Sequence, residues 1–200
     1  MKLLILIFFT FAASLSFASF KKGNGGNAIY CSQQDKWEIL DHYEIQPILR
    51  LTPNPNITDD NFDEKILERL SLVDANLTQA FQEQQALFNK QVRWISRAHI
   101  GPVNDSYHSI LPKDCSLHQA ALQTDNLYLM QQEIWQSLSP FQQKVLKLHE
   151  LLYRSLLRIH DLEDSRPVRA LVGLLLSEQL TTMTTQDRFQ FFDKYGIIFR

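Results

Sequence analysis

Apolar and polar positions alternate in two different rhythms along this chain, and the switch between them sketches the elements. Ala28-Ile29-Tyr30-Cys31 and Trp37-Glu38-Ile39-Leu40 are short strand-like runs around the polar Ser32–Lys36, which predicts a hairpin. Asp41 to Leu49 suits a short helix, stopped by Thr52-Pro53-Asn54-Pro55-Asn56. From Asp59 or Asp60 the period lengthens. Phe62, Ile66, Leu70, Val73, Leu77, Phe81 and Phe88 recur at helical spacing and predict one long helix to about Lys90. The stripe lacks unbroken heptads, so it packs on a domain and does not form a coiled coil. Val92 to Ile100 alternates like a strand, closed by Gly101-Pro102. His118–Gln123 and Leu127–Met130 flank Thr124-Asp125-Asn126, a second hairpin signal.

Ser139-Pro140-Phe141-Gln142 combines a capping box with proline at the first helical position, so a helix opens there and can run to about His160. Asp161 to Asp164 form a loop. Ser165 caps a further helix through Val168, Leu171, Val172, Leu175 and Leu176. Phe189, Phe191, Phe192, Ile197, Ile198 and Phe199 make an apolar C-terminus that packs back on the body. No internal repeat is present. Hairpins segregated from helices predict one α+β domain over 28–200, with a small, mostly antiparallel sheet of two hairpins and a strand against several helices.

The first residues belong to a different problem. Met1-Lys2 leads into Leu3-Leu4-Ile5-Leu6-Ile7-Phe8-Phe9, and roughly 15 uncharged residues after one positive charge read as a secretory signal. Ser16 and Ala18 are small at the −3 and −1 positions, which places cleavage after Ala18. The run is short for a membrane anchor, which needs about 20 residues. No second run of that kind follows, so the mature chain is expected to be soluble, exported to the periplasm or secreted. Residues 19–27, with Lys21-Lys22-Gly23-Asn24-Gly25-Gly26-Asn27, read as a flexible arm. A phosphate-cradling glycine loop would need a strand before it and a helix after it, and neither is predicted here.

Export changes the meaning of Cys31 and Cys115. In an oxidising compartment a pair of cysteines favours a disulfide, with two buried free thiols as the other reading. Composition narrows the function classes. The chain has 200 residues, 44% hydrophobic and 21% charged, and 20 Lys+Arg against 22 Asp+Glu leave a net charge of −2. No positive field exists to hold phosphate backbones, so nucleic acid is not an expected partner. Three Trp, six Tyr and thirteen Phe suffice for a core. Asn56, Asn76 and Asn104 head glycosylation sequons, which matter only in a eukaryotic host.

Candidate chemistry concentrates on the helix from Pro140. Val145, Leu148, Leu152, Leu156 and Ile159 share one side, and His149 with Tyr153 lies close to that centre. Glu150 falls on an apolar flank, where a carboxylate needs a partner. Arg154 at i+4 is suited to pair with it, with Arg166 and Arg169 as alternatives. His149-Glu150-Leu151-Leu152-Tyr153 is one residue short of the zinc-peptidase helix, in which two imidazoles bind zinc and the glutamate activates water. Tyr153 replaces the second imidazole and is a poor zinc ligand. The simpler reading is a buried polar cluster of His149, Glu150, Tyr153, Arg154, Arg166 and Arg169 that fixes the helices together, with no catalytic residue, metal or cofactor. A third reading lets the same cleft take a small ligand or a peptide terminus through Arg154 and Arg166. His99, His108 and His118, with Asp105, follow no ligand spacing, Asp161, Glu163 and Asp164 read as loop charges, and no nucleophile elbow exists.

Several segments together carry a resemblance. They are Gly23-Asn24-Gly25-Gly26-Asn27 with Cys31, Leu40-Asp41-His42-Tyr43-Glu44, Leu111-Pro112-Lys113-Asp114-Cys115 with Gln119, Trp135, His149-Glu150-Leu151-Leu152-Tyr153-Arg154, and Asp164-Ser165-Arg166-Pro167-Val168-Arg169-Ala170-Leu171-Val172-Gly173. In this order the chain resembles a family of uncharacterised exported proteins of predatory and related Gram-negative bacteria. Asn27 departs from the acidic residue usual at the end of the glycine motif. The resemblance implies a periplasmic or secreted address and transfers no catalytic role. The reading that results is an exported, non-catalytic binding or envelope-interaction protein, with a zincin-like metallohydrolase as the alternative.

Overall fold

A computed structural model describes residues 25–97, 100–101, 110–160 and 162–197. The leader, His99, Asn104, Asp105, His108, Asp161, Ile198 and Phe199 lie outside them.

The first hairpin forms as predicted. Strand β1 (Asn27–Cys31) pairs antiparallel with β2 (Lys36–Ile39), and Asp35 takes the turn at φ 48°. Aspartate tolerates that left-handed geometry better than most side chains. On its other edge β1 pairs antiparallel with a distant strand, β4 (Cys115–Gln119), in register Cys31 opposite Cys115, and the two cysteines form a disulfide. A second sheet contains β3 (Val92–Ile95), β5 (Ala121–Gln123) and β6 (Tyr128–Gln131) in the order β3-β6-β5. β5 and β6 are antiparallel, β3 and β6 parallel. His118 therefore belongs to the first sheet, and only Ala121–Gln123 makes the second hairpin.

The change of sheet is held by Gly26, whose carbonyl accepts from both Ala120 and Ala121 N–H, while Ala120 accepts from Gln131 N–H. Gly25 and Gly26 are buried, so the ordered body starts before the end of the arm predicted over 19–27. A Cβ on Gly25 would lie 1.9 Å from the Ala121 carbonyl oxygen, a backbone atom that cannot step aside. Only glycine allows this approach.

Among the described residues there are seven helices. α1 (Leu40–Glu44) is shorter than the predicted 41–49, and the chain continues in turns. The expected long helix is two: α2 (Phe62–Ser71) and α3 (Ala75–Gln91). The break is chemical. Asp74 accepts from Leu77 N–H at 2.7 Å, so its carboxylate caps a new helix instead of continuing the old one. The strand predicted to Ile100 ends at Ile95, close to Arg97 with its positive φ. α4 (Gln132–Ser137) has no counterpart in the sequence reading.

α5 (Pro140–Leu157) opens at the predicted cap, with Ser139 Oγ accepting from Gln142 N–H, and stops just short of His160. The box is only half made, because the Gln142 amide turns away to accept from Ile39 N–H at 2.8 Å. α6 (Arg166–Leu175) and α7 (Thr185–Lys194) complete the fold. Phe192 and Ile197 are buried, as the apolar C-terminus predicts, whereas Phe189 is exposed. α5 is the axle: Val145, Leu148, Leu152 and Leu156 lie in the core, packed by α1, α3 and α6. No helix among the described residues is long and apolar enough to cross a membrane.

Candidate functional site

The predicted polar residues of α5 and α6 are buried, but they do not form one cluster. His149 and Glu150 are 1% and 0% exposed. His149 Nδ1 lies 2.6 Å from Asp41 Oδ2, and this contact ties the middle of α5 to the first turn of α1. The Tyr153 ring runs parallel to the imidazole, its centroid 6.3 Å away. The residue that stands where a zinc helix has its second imidazole thus packs in line with the first.

Glu150 points the other way, toward the junction of the sheets. Oε1 accepts from Gly26 N–H at 2.5 Å, and Oε2 accepts from Gln123 Nε2 at 2.7 Å. Gln123 Nε2 also donates to the Glu150 carbonyl, and Gln123 Oε1 accepts from Arg154 Nε at 3.3 Å. The ion pair expected between Glu150 and Arg154 is therefore not direct, and a glutamine stands between them. Arg154 finds a better fit for its planar fork elsewhere. Nη2 donates to the Thr124 and Leu127 carbonyls at 2.9 and 2.8 Å, and Nη1 to Gln91. Its guanidinium lies 3.7 Å from the centre of the Tyr128 ring. Arg154 straps the β5–β6 turn onto α5.

The α6 arginines separate. Arg169 Nε is 2.9 Å from Glu44 Oε2, both buried, and Nη1 donates to Ser165 Oγ at 2.7 Å. Ser165 holds the N-cap position of α6, yet its hydroxyl accepts from this arginine and not from the helix N–H groups. Arg166 pairs with Asp164 at a half-exposed site and is not part of the buried network. Asp41, Glu44 and Gln123 were missed as partners. Asp41 and Glu44 sit at i, i+3 on one short helix, a spacing that puts both on one face, and both fall inside the segments that carry the resemblance.

Burial raises the Glu150 pKa above its ordinary 4.5, against the opposing pull of His149, Gly26 and Gln123. It lowers that of Arg154 and pushes the Tyr128 phenol up to about 12. For Glu150 the consequence has a definite sign. The folded state holds the proton more tightly than the unfolded one, so this group favours folding most below pH 4.5 and progressively less as pH rises through its raised value. Urea titrations of the wild type and Glu150→Gln across that range are expected to show the wild type losing ground to the variant with rising pH. A flat difference would place the carboxylate in a solvated setting.

Beyond Arg154 the network meets the surface. A cavity of about 500 Å3 is lined by Gln91, Gln123, Tyr153, Arg154, Arg158 and Glu163, among others. Arg154 has most of its donors spent on the protein. Arg158, half-exposed and 3.2 Å from Glu83, is the positive charge this cavity offers to solvent. Among the described residues no group of three or more His, Cys, Asp or Glu converges as a metal set. Compared with known protein families, curated proteins and solved structures, the chain finds no match.

Proposed function

We propose that this chain is an exported, non-catalytic binding protein of the bacterial envelope, delivered by the leader ending at Ala18 and related to the exported family it resembles. One observation carries the reading. The imidazole and carboxylate that would perform turnover face the protein interior, with Glu150 occupied by Gly26 N–H and the Gln123 amide. They act as cement between α5, α1 and the sheet junction. The Cys31–Cys115 disulfide suits an oxidising compartment.

Recognition falls to the cavity at the end of α5. Arg158 supplies a positive charge, Asp125 and Glu163 negative ones, and Gln91 and Asn126 amides. Such a lining suits a small dipolar ligand such as a peptide with a free carboxylate. The test is a thermal-shift and calorimetric titration with short tripeptides. At a hundredfold excess over Kd a ligand stabilises by about 2.7 kcal/mol, and the shift is expected to vanish in Arg158→Ala while the ligand-free melting temperature stays in place. No shift with any tripeptide overturns this cavity as the recognition site. Stoichiometric zinc, lost in a folded His149→Ala variant, overturns the non-catalytic reading in favour of the metallohydrolase alternative.

A further inference from the structure

Trp94 and Trp135 are two of the three tryptophans in the chain. Their rings meet edge to face, with centroids 5.2 Å apart. Trp94 lies on β3, an edge strand, and remains 45% exposed. Trp135 follows one turn into α4 and is half-buried. Around them, Gln132, Gln136 and Gln143 complete the described lining of a shallow cavity of about 460 Å3. We propose that this platform is a binding site for a neutral, β-linked pyranose glycan.

The lining dictates the ligand class. Among the described residues no ionisable side chain belongs to it, and the neighbouring described charges are turned away or already engaged. Strand alternation puts Arg93 on the opposite face from Trp94, where its Nη1 donates to the Lys90 and Val92 carbonyls. Glu133 accepts from Arg97 N–H and from the Gln131 amide. A ligand here is recognised without charge.

What remains is the exposed face of the Trp94 indole, with the Trp135 ring inclined to it at 63°, ringed by primary amides. A pyranose whose substituents are all equatorial has the complementary shape: axial C–H bonds cover its faces, and hydroxyls project around its rim. The C–H bonds carry positive polarisation toward the negative face of an indole. Gln132 and Gln136 each carry a donor and an acceptor side by side, matching neighbouring hydroxyls or an acetamido group. Gln143 is held in place by its Nε2, which donates to the Trp135 carbonyl at 2.9 Å, so its Oε1 is the acceptor available to a ligand. A proline-rich peptide is the competing occupant of aromatic surfaces. It inserts its rings into slots between aromatic walls, and two indoles in direct contact leave no such slot.

The site is separate from the cavity at Arg158. Gln143 and Arg154 are about 16 Å apart along α5 at 1.5 Å per residue. The inference does not rest on the peptide reading, and the two fail independently.

Calorimetry and tryptophan emission test it on the purified protein. The probes are the β-linked tetramers of N-acetylglucosamine and of glucose, which separate acetamido-bearing from plain glycans, and a proline decamer. Saturable binding of at least one tetramer below about 10 mM is expected. Trp94→Ala should weaken it at least about tenfold, and Gln136→Ala, at an exposed helical position, several-fold. Arg158→Ala should leave it unchanged. No saturable binding of either tetramer, full binding in both variants, or capture of the proline decamer in their place would overturn the proposal.

Discussion

Truncation of Glu150 to alanine is expected to cost about 3–5 kcal/mol of folding stability. The loss comes from what is left behind. Gly26 N–H and one donor of the Gln123 amide would remain in a site with no exposure to water. A buried donor without an acceptor costs about 1–3 kcal/mol, and the missing methylenes add a cavity. Glu150→Gln keeps an acceptor for Gly26 and should lose less. Its second oxygen becomes an amide nitrogen that faces the Gln123 donor, so part of the penalty stays. Urea unfolding of the variants decides the matter. A loss for Glu150→Ala under about 1 kcal/mol would mean that solvent reaches the carboxylate, and the cement would have to be sought elsewhere.

Opening the Cys31–Cys115 bond is expected to have an effect of the same order or larger. The bond spans a sequence separation of 84, for which loop-closure entropy gives about 4–5 kcal/mol. For a chain of this size that corresponds to a fall in melting temperature of roughly 10 °C or more. The comparison is between oxidised protein, reduced protein and the Cys31→Ser, Cys115→Ser double variant, the last two being expected to agree. An unchanged melting temperature would show that the reduced unfolded chain already keeps residues 31 and 115 close, so that the cross-link removes no entropy from it.

How much of this was legible before the structure depends on how local each determinant is. α5 was readable because its start, Ser139-Pro140, and its stripe from Val145 to Leu156 are both written in neighbouring residues. The first hairpin was readable for the same reason. The break at Asp74 was not, because apolar spacing continues across it from Leu70 to Leu77 and only the aspartate shows that a new helix begins. The strand pairs β1–β4 and β3–β6 join distant segments, and no periodicity specifies them. At the site, the apolar flank correctly marked Glu150 as buried and in need of a partner. The identity of the partner was another matter. Charge favoured Arg154, but the guanidinium met two turn carbonyls and the ring of Tyr128, while a neutral glutamine, invisible to any rule about charge, took the carboxylate. Arg166 was grouped with Arg169 by proximity in sequence, yet on α6 only one of them faces Glu44.

The junction at Gly26 also orders events in time. β1 is synthesised well before β4, its sheet partner, and the carboxylate that receives the Gly26 N–H follows at a sequence separation of 124. The β1–β2 hairpin can close on its own, but the Gly26 junction cannot settle until Glu150 has been made. Such a chain reaches its native topology late and nearly all at once.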